Sequence, residues 1–195
     1  TCNVYGALYT WETVMSENGA GTGDWVETSV AKNYVTIEKT PSDPTANVNN
    51  AEDGGRGICL AGYHVPTDQD WANLLDNVES NGSYTAQVGP GWFGADAGKI
   101  LKSASTYVGA DPADGSWALT TSQGTDAFGF GMLPPGSRDS DGSSFVDQGN
   151  KALFWSSSAT TASSAWFRQF ASYYANSYRN TNRRSLGLSV RCVKN

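Results

Sequence analysis

A chain of 195 residues can bury one substantial core, and its 22 glycines, 7 tryptophans and 9 tyrosines with only 16% charged residues argue for a loop-rich globular domain, against a helical bundle, a coiled coil or a disordered chain. No apolar run approaches the roughly 20 residues that cross a bilayer, and three cysteines without a CxxC pair disfavour a structural zinc site. The net charge of −6 is uneven: no Asp or Glu follows Asp147, six of the thirteen basic residues lie beyond Ala159, and the other seven against nineteen carboxylates leave −12 on the rest. Such asymmetry speaks of partners rather than of fold.

The chain opens at Thr1-Cys2 with no signal segment and reads as a mature or excised piece of a larger parent protein. One disulfide with a leftover thiol suits an exported protein, although three unpaired buried cysteines would look the same in sequence. The stretch Tyr5-Gly6-Ala7-Leu8-Tyr9-Thr10-Trp11 predicts a strand entering a short helix, with Leu8, Trp11 and Met15 on one helical face. Residues 18–23 form a glycine-rich turn, 34–37 a short strand, and 41–57 the longest loop. Thr67 then predicts a helix N-cap, with Asp70 as its capping-box partner and Asp68 suited to the positive helix end. Trp71, Leu74, Leu75 and Val78 make one apolar stripe, and Gly82 ends the helix. A second, shorter helix covers 95–102 and buries Ile100 and Leu101.

From Phe128 onward strands and turns replace helices. Asp139-Ser140-Asp141-Gly142 predicts a hairpin turn, and residues 152–157 a strand. Trp166, Arg168 and Phe170 alternate with Phe167, Gln169 and Ala171, and Leu188, Val190 and Cys192 share a face of a final strand. Early helices and a late sheet indicate an α+β fold in a single domain spanning 1–195.

Residues 171–186 combine Ala, Ser, Tyr, Asn, Thr and Arg with few core-forming side chains, which is the composition of an antibody-like contact surface. Tyr173, Tyr174 and Tyr178 are the candidate anchors, with Arg179 and Arg183 supplying charge. Each tyrosine reads equally as an ordinary strand residue. Trp155, Trp166 and Phe170 read as core. Arg168, between Trp166 and Phe170, reads as a buried structural arginine with a carboxylate or carbonyl partner, and Arg191 as another.

Several ordered segments resemble the Fibrobacter succinogenes major paralogous domain, a C-type-lectin-like family of bacterial surface and secreted proteins. They are Tyr5 to Trp11, Gly57-Ile58-Cys59-Leu60-Ala61-Gly62-Tyr63-His64-Val65-Pro66-Thr67, Trp71, Ala97-Gly98-Lys99-Ile100-Leu101-Lys102, Phe128-Gly129-Phe130, Leu133-Pro134-Pro135-Gly136, Phe154-Trp155-Ser156-Ser157-Ser158, Ala165-Trp166-Phe167-Arg168 and Ser189-Val190-Arg191-Cys192-Val193. The resemblance implies a lectin-like fold with two early helices and a twisted, mostly antiparallel sheet. It also implies a Cys59–Cys192 disulfide tying the helix region to the last strand, with Cys2 unassigned.

Residues 166–192 are also similar to the variable region of proteins diversified by retroelements, in which template adenines of asparagine codons are replaced at random. Asn176, Asn180 and Asn182 match unsubstituted positions. Phe167, Ala171, Tyr173, Tyr174, Ser177, Tyr178, Thr181, Arg183 and Leu186 are all reachable by such changes, whereas Gln169 requires another template codon. The resemblance thus implies a ligand-binding region over about 165–187 whose site residues are these nine together with Gln169.

Other chemistries are less supported. His64 is the single histidine and precedes the Pro66 helix start, so a structural role fits it better than Ser-His or Cys-His catalysis. An enzyme related to the formylglycine-generating enzymes would need a cysteine pair for copper, which Cys2, Cys59 and Cys192 do not offer. The Glu-Pro-Asn, Gln-Pro-Asp and Trp-Asn-Asp signatures of calcium-dependent lectins do not occur, and the Asp139 turn lacks the Glu of an EF-hand. Alternation of Tyr with Arg179, Arg183 and Arg184 resembles single-strand binders, but the acidic remainder opposes nucleic acid. The expected protein is a non-catalytic receptor-binding or adhesin domain without metal or cofactor. It takes a protein or glycan ligand outside the cell or on a phage particle and inserts in no membrane. An invariant surface or assembly module is the alternative.

Overall fold

The computed structural model describes residues 2–15, 57–60, 62–80, 89–104, 106–107, 115–118 and 120–195, so the readings at 18–23, 34–37, 41–56 and Gly82 lie outside the described residues. In chain order the described elements are α1 (Cys2–Tyr5), α2 (Trp11–Met15), β1 (Tyr63–His64), α3 (Asp68–Val78), β2 (Gly91–Phe93), α4 (Ala97–Leu101), β3 (Thr106–Tyr107), β4 (Trp117–Ala118), β5 (Ser137–Arg138), β6 (Phe145–Val146), β7 (Lys151–Thr161), β8 (Ser164–Ala171), β9 (Ser177–Arg183) and β10 (Val193–Lys194). The fold is α+β. Its main sheet runs β2-β9-β8-β7 and is antiparallel throughout, and β1 pairs with β10 at the chain's end.

Both faces of this sheet are covered. Leu153, Trp155, Ala165 and Phe167 pack one face against Trp11, Val14 and Met15 of α2, with Cys59, Val65 and Leu188. Ala152, Phe154 and Phe170 pack the other against Trp71, Leu75 and Val78 of α3 and Ala97 and Leu101 of α4. The Trp71 ring lies 5.4 Å from Phe154 and 6.2 Å from Phe170, centroid to centroid. The alternating side chains of β7 and β8 therefore enter two separate cores, one on each side.

The predicted start of α3 is built as its sequence requires. The Thr67 hydroxyl accepts from the Asp70 amide at 2.9 Å, and the Asp70 carboxylate accepts from the Thr67 amide at 2.8 Å, closing a capping box. Asp68 in the first turn reaches into the sheet. Its Oδ1 meets Arg168 Nη2 of β8 at 2.7 Å and its Oδ2 meets Arg179 Nε of β9 at 2.8 Å. Arg168 is fully buried and also donates to the Asp68 carbonyl, as the sequence predicts of it. Arg191 has the expected carbonyl partner, donating to Phe130 at 2.8 Å, but it is exposed instead of buried, with its guanidinium 4.5 Å over the Phe130 ring.

Three local expectations are corrected. Tyr5 closes the helical turn α1 instead of entering a strand, and the strand character there is a single bridge from Tyr9 to Leu188. The second helix is α4 alone, and within it Leu101 is buried while Ile100 is only half-buried. The last segment is not one strand. Leu188 bonds with Tyr9, Ser189 with Leu153 and Trp155, and only Val193 and Lys194 form a ladder, so it changes partner as it crosses the molecule. The turn at Asp139 does join β5 to β6. Cys59 and Cys192 are disulfide-bonded, 133 residues apart in sequence.

Candidate functional site

The β2 side of the main sheet carries a row of aromatic rings. Register places Trp92 of β2 opposite Tyr178 of β9, and Tyr178 opposite Gln169 of β8, so the three share one face. Tyr174, from the turn before β9, packs on Trp92 with ring centroids 4.1 Å apart, and Tyr173 packs on Tyr174 at 4.9 Å. Inward, Trp92 lies 4.9 Å from Tyr178, Tyr178 lies 6.5 Å from Phe167, and Phe167 meets Trp155 at 6.5 Å. The row thus runs from solvent, where Tyr173 and Tyr174 are 49% and 42% exposed, to the wholly buried Trp155.

The turn that carries Tyr173 and Tyr174 is held by its backbone. Five consecutive carbonyls, from Ala171 to Ala175, accept hydrogen bonds from donors outside the turn. Lys102 Nζ donates to the Ala171 carbonyl at 2.7 Å and to the Tyr174 carbonyl at 2.8 Å. The hydroxyls of Thr120 and Ser122 donate to the Ser172 and Tyr173 carbonyls. The Lys99 amide donates to the Ala175 carbonyl at 2.7 Å. A Cβ on Gly98 would fall 2.5 Å from the Asn176 carbonyl oxygen, so the close approach of α4 to this turn requires glycine there.

Lys102 is the centre of this arrangement. Its side chain is buried and its third donor goes to the Ser122 carbonyl at 2.7 Å. Burial, and then repulsion from Lys99, pull its ammonium down from the ordinary 10.5 to about 8. Three carbonyl partners match the three protons of the charged form.

The sequence-predicted site residues divide by burial. Tyr173, Tyr174, Tyr178 and Gln169 come together, the first two exposed and the others half-buried. Phe167, Ala171 and Ser177 are 4%, 0% and 1% exposed and cannot face a ligand. Phe167 sits in the core around Trp155, because β8 is covered on both faces. Thr181 is half-buried beside Trp166 on the opposite face from Tyr178. Arg183 is exposed at the end of β9, and Leu186 packs against the core around Trp11. Arg179 is not a free surface charge: it pairs with Asp68, donates to the Gly89 carbonyl at 2.8 Å, and stacks 3.4 Å over the Trp166 ring.

Trp92 and Lys102 are the residues that reading the sequence missed. Trp92 lies in Gly89-Pro90-Gly91-Trp92-Phe93-Gly94, and its one signal is a pair of aromatics framed by glycines. Lys102 has no local signal, since its partners are 20 to 72 positions away.

The residues weighed for other chemistry are engaged elsewhere. His64 places Nδ1 2.7 Å from Asn195 Oδ1 and Nε2 3.0 Å from Asp70 Oδ2. Burial raises Asp70, but hydrogen bonds from Thr67 and His64 outweigh it and hold the carboxyl below its ordinary value. In the hairpin turn, Asp141 accepts from the Ser143 and Ser144 amides and the Ser144 hydroxyl, at 2.8, 2.9 and 2.6 Å. Among the described residues no group of three or more metal-ligating side chains occurs, and no helix is long and apolar enough to cross a membrane.

Fold and surface together define a disulfide-tied α+β module that presents an aromatic row along the β2 side of its main sheet. Residues 1–194 match the Fibrobacter succinogenes major domain, and the chain belongs to that family. Comparison with curated proteins and with solved structures gave no match.

Proposed function

We propose that this chain is a non-catalytic, calcium-independent ligand-binding domain, a receptor-binding or adhesin module that displays a diversified surface on a C-type-lectin-like scaffold outside the cell. One observation carries the reading: the carbonyls from Ala171 to Ala175 are all held by donors outside the turn, so Tyr173 and Tyr174 are presented by a backbone that does not depend on their identity. Such a turn accepts exchanged side chains without refolding. The lectin-like scaffold is supported by the family and by the bond between Cys59, ahead of α3, and Cys192 at the final strand. Engagement of both nitrogens of the single histidine supports a binding role over catalysis.

Sequencing the gene from many members of one population tests this. The expected result is substitution at Tyr173, Tyr174 and Tyr178 at template adenines, with Lys99, Lys102, Thr120 and Ser122 unchanged. Phe167, Ala171 and Ser177 vary little in this reading despite permissive codons, because they are buried. A segment that never varies would transfer the chain to the fixed surface or assembly class.

A further inference from the structure

We propose that the ligand of the Trp92–Tyr174 face is an uncharged glycan; this rests on the binding-face reading above and adds the chemistry of the ligand.

Charge is the first reason. The face is built from β2, residues 172–176, Gln169 and the β9 positions Tyr178, Asn180 and Asn182, none of which is ionisable below the tyrosine range. The arginines of β8 and β9 occupy the opposite register. Arg168 and Arg179 are tied to Asp68, and Arg183 stands at the far end of β9. Lys102 lies beneath the turn with three carbonyls around its ammonium. Among the described residues, the side chains that make up the face offer a carboxylate, sulfate or phosphate no cation to replace its lost water, and Lys99, exposed on α4 with its amide on the Ala175 carbonyl, stands only at its margin.

Size is the second. An aromatic side chain carries 150–250 Å², so Tyr173 and Tyr174 near half exposure, with the more covered Trp92 and Tyr178, offer at most roughly 250–400 Å². A standard protein interface takes about 800 Å² from each partner. The row is too small to dock a folded protein by itself, but it suits a chain of a few linked sugars laid along it.

Chemistry is the third. Aromatic ring faces are electron-rich and take the C–H faces of a sugar ring, while carboxamides both donate to and accept from hydroxyls. Here Asn180 Nδ2 donates to the Tyr178 hydroxyl at 2.8 Å, which leaves that hydroxyl's own proton to donate outward. Gln169 stands beside it in register. The clamped backbone removes the ordering cost that limits shallow sites.

The test is affinity electrophoresis of the intact chain in native gels cast with neutral polysaccharides (a β-glucan, a xylan, a mannan) or with anionic polygalacturonate, at low and high salt. Slowed migration in at least one neutral gel is expected, indifferent to salt and weakened about tenfold by Tyr174→Ala. The melting temperature of that variant is measured alongside, and stays close to the parent's, so that misfolding is not mistaken for lost contact. No retardation in any neutral gel overturns the glycan proposal. If a protein ligand is then bound through Tyr174, the binding-face reading survives without it. Retardation by polygalacturonate alone, abolished by salt, overturns the uncharged class. Binding of any ligand that is untouched by Tyr173→Ala and Tyr174→Ala together overturns both readings.

Discussion

Tyr173 stands at the open end of the aromatic row, and replacing it by alanine removes ring surface that is already half in water. Tyr173→Ala is expected to change stability by no more than about 0.5 kcal/mol. Tyr178 belongs to the same row but packs between Trp92 and Phe167, so Tyr178→Ala is expected to cost about 1–3 kcal/mol. Urea unfolding of both variants checks the difference. Lys102→Met takes the ammonium from the Ser122 and Tyr174 carbonyls and leaves the Ala171 carbonyl only the Tyr174 amide at 3.3 Å, at about 1–3 kcal/mol for each carbonyl left unsatisfied. It is expected to release the turn and weaken ligand binding as well as fold stability. The pH dependence has a definite sign. The folded value near 8 lies below the unfolded 10.5, so between them the unfolded chain holds a proton that the native one has lost, and native stability rises with pH. The stability gap between wild type and Lys102→Met, measured at pH 7.5 and pH 9.5 as about the two ends of an accessible window, is therefore expected to widen. At this scale the sequence was legible only in part. The proposed diversification names positions but not side-chain directions, and both faces of β8 are covered, so Phe167 and Ala171 are hidden although they alternate with core residues.

Asp68 links an element to its neighbours. It sits in the first turn of α3 and holds Arg168 of β8 and Arg179 of β9, so one carboxylate joins the helix to two central strands. Asp68→Ala removes the counter-charge of a wholly buried guanidinium, leaving it the backbone carbonyl, and is expected to cost about 3–5 kcal/mol by denaturant titration. Thr67→Ala, which removes only the cap, is expected to cost about 1 kcal/mol. Asp70 completes that cap and is held below its ordinary value, so its contribution is whole above the unfolded carboxylate value and fades as pH falls through the folded one. The helix α3 was legible because its cap and its stripe at Trp71, Leu75 and Val78 are local signals. The strand β9 was not. Its sequence, Ser177-Tyr178-Arg179-Asn180-Thr181-Asn182-Arg183, shows no apolar alternation, since its inward positions hold a small serine and an arginine satisfied by Asp68. Only pairing to β2 and β8 makes it a strand.

For the molecule as a whole, the Cys59–Cys192 bond closes a loop with a sequence separation of 133. In the chain-entropy view a loop of that length stabilises by about 5 kcal/mol. Paired replacement of both cysteines by serine is expected to lower the denaturation midpoint accordingly while leaving the outer face assembled, read as retained ligand binding below the transition. The α+β class was legible from the order of elements. The double-sided burial of the main sheet was not, because it depends on which distant segments return to cover each face.

The turn at 172–176 has a practical use as a cassette for directed selection. Its amides at Ser172 and Tyr174 bond to the carbonyls of Asn150 and Ala171, which bars proline from those two places and little else. Randomising Tyr173 and Tyr174 while keeping Gly98, Lys99, Lys102, Thr120 and Ser122 would yield a library in which nearly every member folds. New specificities could then be drawn from this scaffold as they are from antibody loops.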